Sequence, residues 1–257
     1  MRQITTTRDP WIDPGFRRGV YRIRQKGTRL TYYRTDGYNV VHDPNPQGAK
    51  GGPKMQAFQQ VRAAAREWFQ AHPMEGKPLF PYIGKNETLL NQYPYWRGGY
   101  YVDVSCAYWR TAFNMGVIDR ELFERWRNDK YIRNAAIGAL ASKSVYYSYD
   151  PETDTREFEG IERESTANVY YHIVNDVGQK MQDLQQEGFF YWVDCIYSPF
   201  ADIGQQIRKR FPRNFEFHEY EFMSLSYIKP TETIYTRFKG KRPKPYHFQR
   251  RAAFFEE

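Results

Sequence analysis

Two aspartates set in tyrosine-rich apolar runs constrain the fold of this chain more than any other feature. Asp103 lies in YYVDVSCAY at residues 100–108, and Asp194 lies in FFYWVDCIY at residues 189–197. Aromatic and β-branched residues favour buried strands, and an unpaired carboxylate in such a strand is costly to ionise. The cost is tolerable if two carboxylates share divalent cations, as metal-assisted phosphoryl chemistry requires. The alternative is that each aspartate caps a strand end or pairs with an arginine.

Composition narrows the class of partner. The 257 residues suffice for one large domain or two small ones, and the net charge of +8 favours an anionic partner. The 22 tyrosines, 18 phenylalanines and 6 tryptophans suit base stacking as well as core packing. Cys106 and Cys195 match no zinc-site spacing and make a poor disulfide framework, so we expect a reducing compartment. With no membrane span or signal-peptide core in the sequence, we expect a cytoplasmic protein without a membrane partner.

The order of the predicted elements indicates a single α+β domain with an N-terminal elaboration. Strands are predicted at 20–23, 30–33, around Asp103, around Asp194, at 215–228 and at 234–238, with a polar hairpin or surface insertion over 146–164. Helices are predicted at 55–71, at 119–141 with Asp119 as its N-cap, at 165–186 ending at Gly188, and at 203–210.

Three motifs in this order resemble those of the palm domain of family B DNA polymerases. The first family motif, Asp-x-x-Ser-Leu-Tyr-Pro, is similar to DVSCAYW at 103–109. The second, Lys-x-x-x-Asn-Ser-x-Tyr-Gly, is similar to KYIRNAAIG at 130–138, where Lys, Asn and Gly keep the family spacing. The third, Tyr-Gly-Asp-Thr-Asp-Ser-Ile, is similar to FYWVDCI at 190–196, in which Trp192 replaces the first aspartate and Asp194 keeps the second. The resemblance covers roughly residues 95–240.

The resemblance implies a role for each matched residue. Asp103 and Asp194 would be the catalytic carboxylates and would hold two Mg²⁺ (or Mn²⁺) ions together with the backbone carbonyl of Val104. Tyr108 would lie under the incoming sugar and exclude a ribose 2′-hydroxyl. The remaining nucleotide-binding residues would be Lys130 on the triphosphate, Asn134 against the nascent base pair, and Gly138, which would let the helix approach the template.

Each implied role has a structural alternative. Lys130 can be an ordinary solvated lysine, since such lysines are common on helix surfaces. Tyr108 can belong to the core of a tyrosine-rich chain. Asn134 can bond within its own helix or cap a turn.

The C-terminal stretch is basic and is the next candidate for DNA contact. The family carries a Lys-x-Tyr element after its third motif that grips the primer strand, and the nearest equivalent here is Thr233-Ile234-Tyr235, with the lysine displaced to Lys229. The candidate DNA-binding residues are Lys229, Tyr235, Arg237, Lys239, Lys241 and Arg242. The alternative is a solvated basic tail. YWRGG at 95–99 is in addition similar to the Tyr-x-Gly-Gly element of protein-primed phage polymerases.

These observations lead to a definite expectation. Residues 1–94 form an N-terminal elaboration, and residues 95–257 form a palm-like antiparallel sheet packed on helices, with a minimal fingers helix. We expect a reduced family B-like DNA polymerase of phage or mobile-element type, acting on a DNA primer-template with dNTPs, in the host cytoplasm if viral. A second protein would supply the thumb or the priming function. The alternative is an inactive polymerase-like protein that binds primer-template or single-stranded DNA as a replication accessory or assembly component.

Overall fold

The computed structural model describes residues 2–44, 52–72, 92–184, 190–192, 194–228, 233–239 and 244–247. These residues form an α+β protein with two six-stranded, mostly antiparallel sheets, which confirms the α+β part of the prediction. Its contacts divide the chain into two compact units: unit 1 comprises 1–79 and 116–171, and unit 2 comprises 80–115 and 172–257. This division differs from a single boundary at residue 94, because it groups 116–171 with the N-terminal residues.

Unit 1 is built on a sheet in the order β1-β4-β3-β2-β6-β7. Its strands are β1 (Arg2–Thr6), β2 (Val20–Lys26), β3 (Arg29–Arg34), β4 (Tyr38–His42), β6 (Lys143–Asp150) and β7 (Thr155–Arg163). Only β1 and β4 pair in parallel among the described strands. Strands β6 and β7 confirm the hairpin predicted over 146–164. Aromatic side chains hold one face of this sheet, where Tyr32 is fully buried and stacks on Trp11.

The helices of unit 1 are α1 (Pro14–Arg17), α2 (Pro53–Ala71), α4 (Arg120–Trp126), α5 (Lys130–Leu140) and the first residues of α6 (Thr166–Gln182). Helix α2 agrees with the helix predicted over 55–71, and it buries Ala57, Val61 and Ala65 at helical intervals. The single helix predicted over 119–141 is wrong. Asp119 caps α4, but Asp129 caps a second helix, α5, by accepting a hydrogen bond from the Ile132 amide at 2.8 Å.

Unit 2 is built on a sheet in the order β12-β11-β10-β5-β9-β8. Its strands are β5 (Tyr95–Ser105), β8 (Phe190–Trp192), β9 (Cys195–Ser198), β10 (Glu216–Ile228), β11 (Thr233–Phe238) and β12 (Lys244–His247), and every pairing in the described sheet is antiparallel. Its helices are α3 (Ala107–Asn114), α7 (Ile203–Arg210) and the later part of α6. The strand predicted over 215–228 is therefore confirmed, as is the basic helix predicted at 203–210. Helix α6 ends at Gln182, before the predicted end at residue 186, and Gly188 lies outside the described residues.

The two faces of the unit 2 sheet carry different cores. On the first face, which we call the helix face, Val102 and Val104 of β5 pack with Val177 and Met181 of α6 and with Ile203 and other residues of α7. On the second face, which we call the aromatic face, Tyr101 packs with Phe190, Tyr197, Phe222 and Phe238. Alternation along β5 thus sends odd-numbered and even-numbered side chains to opposite faces between Tyr101 and Val104. No helix among the described residues is both long and apolar enough to cross a membrane.

Candidate functional site

Asp103 lies near the end of β5, with β9 on one side of it and β10 on the other. Its side chain is half-buried. The Tyr101 hydroxyl donates a hydrogen bond to Asp103 Oδ1 at 3.3 Å, which places both side chains on the aromatic face. The carboxylate therefore lies at the edge of the aromatic core and is not enclosed within it.

Asp194 lies between β8 and β9, in the turn that joins these two strands. The expectation that it lies within a buried strand is wrong, and its side chain is half-buried. Strands β8 and β9 stay paired as far as Trp192 and Cys195, which form the last pair before the turn. A turn position costs a carboxylate less than a strand interior because water can reach it.

The strand register brings the two aspartates to neighbouring positions. Asp103 pairs with Cys195 across β5 and β9, so Asp194 lies one position beyond this pair. The Val104 amide donates to the Asp194 carbonyl oxygen at 2.9 Å, which fixes the turn against the end of β5. The amide and the carbonyl of a strand residue point to the same edge, so the Val104 carbonyl is also directed towards β9. The backbone of Asp194 and the Val104 carbonyl thus lie at the same end of the two adjacent strands as Asp103.

Two neighbours of Asp103 were not identified from the sequence. His218 of β10 pairs directly with Asp103 and is exposed, and direct partners in an antiparallel pair share a face. Cys195 is the partner on the other side and is buried. Tyr101, His218 and Cys195 are therefore the neighbours of Asp103 on the aromatic face. The register of three strands creates this arrangement, and no local spacing in the sequence indicates it.

The donors at this site fit a hard divalent cation. Mg²⁺ and Mn²⁺ prefer carboxylate and carbonyl oxygens, which Asp103, Asp194 and Val104 supply. In the parts of the chain that the structure describes, no cluster of three or more His, Cys, Asp or Glu side chains is placed to hold a metal. A cation bound here would therefore keep several water or substrate oxygens in its shell, as Mg²⁺ commonly does.

Tyr108 belongs to α3, the helix that follows β5 directly. The side chain is half-buried and packs against the helix-face core that includes Val104. The structural alternative is thus partly realised, because one part of the ring contributes to the core.

Lys130, Asn134 and Gly138 belong to unit 1, on α5. They are exposed and follow one another at intervals of four residues, so they lie along one face of the helix. Neither Lys130 nor Asn134 has a hydrogen-bond or ion-pair partner among the described residues. The opposite face buries Ile132, Ala136, Ile137 and Leu140. The three motif residues therefore lie on the exposed face of α5, and the Asn134 side chain forms no hydrogen bond within that helix.

We expect Gly138→Ala to stabilise the chain and to weaken binding of primer-template DNA. A methyl group built on Gly138 meets no atom within 4 Å, and alanine is favoured over glycine in a helix by about 1 kcal/mol. Chemical unfolding and fluorescence anisotropy with a labelled primer-template measure the two effects. Ala135→Gly, the reverse change on the same helix, is the control for propensity alone. Unchanged DNA affinity in Gly138→Ala would show that this glycine makes no room for DNA.

The described residues of the basic C-terminal stretch lie on β11 and just after it. Tyr235, Arg237 and Lys239 are exposed, and they alternate with the buried residues Ile234, Thr236 and Phe238. Because Phe238 contacts Tyr101 on the aromatic face, the three exposed residues point to the opposite side of the sheet from Asp103. Lys239 pairs with Glu221, and this hydrogen bond raises the pKa of the lysine. Lys229, Lys241 and Arg242 lie outside the described residues.

Comparisons with models of known protein families, with curated proteins and with solved structures gave no match for this chain. The resemblance to family B polymerases therefore depends on the three motifs, and the geometry of the aspartate pair is the structural observation that bears on it.

Proposed function

We propose that this chain is a reduced family B-like DNA polymerase that adds nucleotides to a DNA primer under the direction of a template. The observation that carries the proposal is the register of β5 and β9. It places Asp103 beside the turn that holds Asp194 and ties that turn to Val104 through a hydrogen bond of 2.9 Å. A carboxylate near the end of one strand and a second in the adjoining turn suit a two-metal phosphoryl-transfer site.

The proposal assigns each matched residue a role in catalysis or in nucleotide binding. Asp103, Asp194 and the Val104 carbonyl would hold the cations, and the Tyr101 hydroxyl donates a hydrogen bond to Oδ1 of Asp103. Mg²⁺ or Mn²⁺, when bound, supplies the charge that lowers the pKa of the primer 3′-hydroxyl and stabilises the pyrophosphate leaving group. Tyr108 discriminates against a ribose 2′-hydroxyl, Lys130 binds the triphosphate, and Asn134 packs against the nascent base pair.

The test is primer extension by the wild-type chain. A labelled primer annealed to templates that differ in the next base is incubated with single dNTPs and Mg²⁺ or Mn²⁺. The proposal predicts addition of the nucleotide complementary to each template, and no addition when EDTA removes the cation. A chain that shifts the same primer-template in a gel but adds no nucleotide with either cation would overturn the proposal.

The second candidate function is DNA binding without nucleotide transfer, in a replication accessory or assembly component. The observation that favours it is the exposed face of β11, where Tyr235 and Arg237 point away from the Asp103 face. Under this candidate, Asp103 and Asp194 are structural carboxylates, and their replacement leaves DNA affinity intact.

A further inference from the structure

Part of the helix face of the unit 2 sheet is a small surface built from three strands. Ser226 of β10 pairs with Tyr95 of β5 on one side and with Tyr235 of β11 on the other. Two residues along, Ser224 pairs with Arg97 and with Arg237. Direct cross-strand partners share a face, so these six side chains form two parallel rows. We call this surface the Tyr–Arg trough.

The shape of the trough follows from the sizes of its side chains. Ser224 and Ser226 are small and half-buried, and they form the floor. Long side chains rise on both sides, with Tyr95 and Arg97 on β5 and with Tyr235 and Arg237 on β11. The walls stand two strand spacings apart, about 10 Å, and the two rows are about 7 Å apart along the strands. The trough thus offers aromatic rings at one end and guanidinium groups at the other.

None of the four wall side chains forms an ion pair, a ring contact or a hydrogen bond with another described residue. Tyr95 is 57% exposed and Tyr235 is 39% exposed. In the part of the chain that the structure describes, neither Arg97 nor Arg237 has an ion-pair partner, and neither tyrosine has a ring or hydrogen-bond partner. The nearby carboxylate Glu221 is already paired with Lys239. Two unpaired positive charges on one small surface attract an anion.

We propose that the Tyr–Arg trough binds single-stranded nucleic acid. Tyrosines stack on bases, arginines bind phosphates, and serine hydroxyls can donate to either, so each row matches one part of a nucleotide. The base must be unpaired for its face to reach a tyrosine ring, which excludes an intact duplex. The inference goes beyond the proposed polymerase function, because the trough and Asp103 lie on opposite faces of the sheet. It assigns Tyr95 and Arg97 as binding residues and makes this a second nucleic-acid site.

The binding test uses the full chain with a labelled oligothymidylate in EDTA, without dNTPs, and reads fluorescence anisotropy over a salt series. Tyr95→Ala and Tyr235→Ala are each expected to weaken binding about tenfold, whereas the matched Tyr→Phe changes keep the affinity. Arg97→Gln and Arg237→Gln are each expected to reduce the slope of log affinity against log salt by about 0.7. Arg213→Gln is the charge-matched control, because Arg213 is exposed elsewhere in unit 2.

Four results would overturn the inference. The first is an affinity that is insensitive to loss of both tyrosine rings. The second is an equal loss in Arg213→Gln, which would show a diffuse charge effect. The third is equally tight binding of a blunt duplex, and the fourth is equal displacement of the oligonucleotide by a glutamate-rich peptide. Crosslinking of a 5-bromodeoxyuridine oligonucleotide to Tyr95 or Tyr235 would support the trough directly. Because no cation or dNTP is present, a failure of the polymerase proposal leaves these results unaffected.

Discussion

Asp103→Asn and Asp194→Asn are each expected to lower the rate of templated primer extension at least about 100-fold. Replacement of a residue that only supports a metal ligand commonly costs about 10–100-fold, so loss of a ligand itself costs more. Asparagine keeps the shape of aspartate and can still accept the Tyr101 hydrogen bond, so the fold is expected to survive. Single-turnover extension under saturating dNTP measures the loss.

Two controls separate chemistry from folding and from DNA binding. Glu152→Gln removes a carboxylate from the exposed turn between β6 and β7, and full extension is expected to remain. Affinity for the primer-template is expected to be unchanged or slightly tighter in both aspartate variants, because each loses a negative charge near a polyanion. Extension at the wild-type rate in either asparagine variant would remove that aspartate from the catalytic site.

Gly99→Ala is expected to destabilise the chain by about 3 kcal/mol, since it combines backbone strain with a steric clash. Gly99 has a φ of +154°, and a methyl group built on it lies 2.4 Å from the ring of Phe222 and 2.7 Å from the Ser198 carbonyl oxygen. Phe222 is its cross-strand partner and is 1% exposed, so the ring cannot move aside without opening the aromatic core. Urea unfolding followed by circular dichroism measures the loss.

The matched control for Gly99 is Gly37→Ala. Gly37 also has a positive φ, of +81°, but a methyl group there meets no atom within 4 Å. We therefore expect Gly37→Ala to lower the free energy of unfolding by about 1 kcal/mol, which is the cost of a left-handed backbone at alanine. Similar losses in the two variants would contradict the account, because they would show that Phe222 does not restrict this position. The comparison concerns the free energy of unfolding alone, so primer extension is not its readout.

The sequence predicts most elements of this fold because their side-chain periods are clear. The alternation of β11 and the helical spacing of α2 are examples. The break between α4 and α5 was missed because Asp129 lies inside a stretch that continues the helical pattern. A polar residue at such a position is as consistent with the exposed side of one continuous helix as with an N-cap. The turn that carries Asp194 was missed because aromatic and apolar residues run through it without the glycine, asparagine or proline that usually indicates a turn.

The candidate site could be predicted only in part, for a related reason. Each motif is local, so the identities of Asp103, Asp194 and the residues of α5 could be read directly. The neighbours His218 and Cys195, and the two rows of the Tyr–Arg trough, depend on pairing between strands that are far apart in the chain. Strand register depends on long-range packing, and a shift by one residue would move every side chain to the other face. Gly98 and Gly99 illustrate the difficulty, because alternation alone does not predict their positive φ angles.

The most direct test of the central claim is a Mn²⁺ titration followed by electron paramagnetic resonance. Wild type, Glu152→Gln, Asp103→Asn and Asp194→Asn are each titrated with and without a dideoxy-terminated primer-template and the next dNTP. The account predicts that wild type and Glu152→Gln bind Mn²⁺ and that each aspartate variant loses at least about tenfold in affinity. Equal Mn²⁺ affinity in all four proteins, or no Mn²⁺ bound by wild type even with both substrates present, would contradict the claim that Asp103 and Asp194 form a metal site.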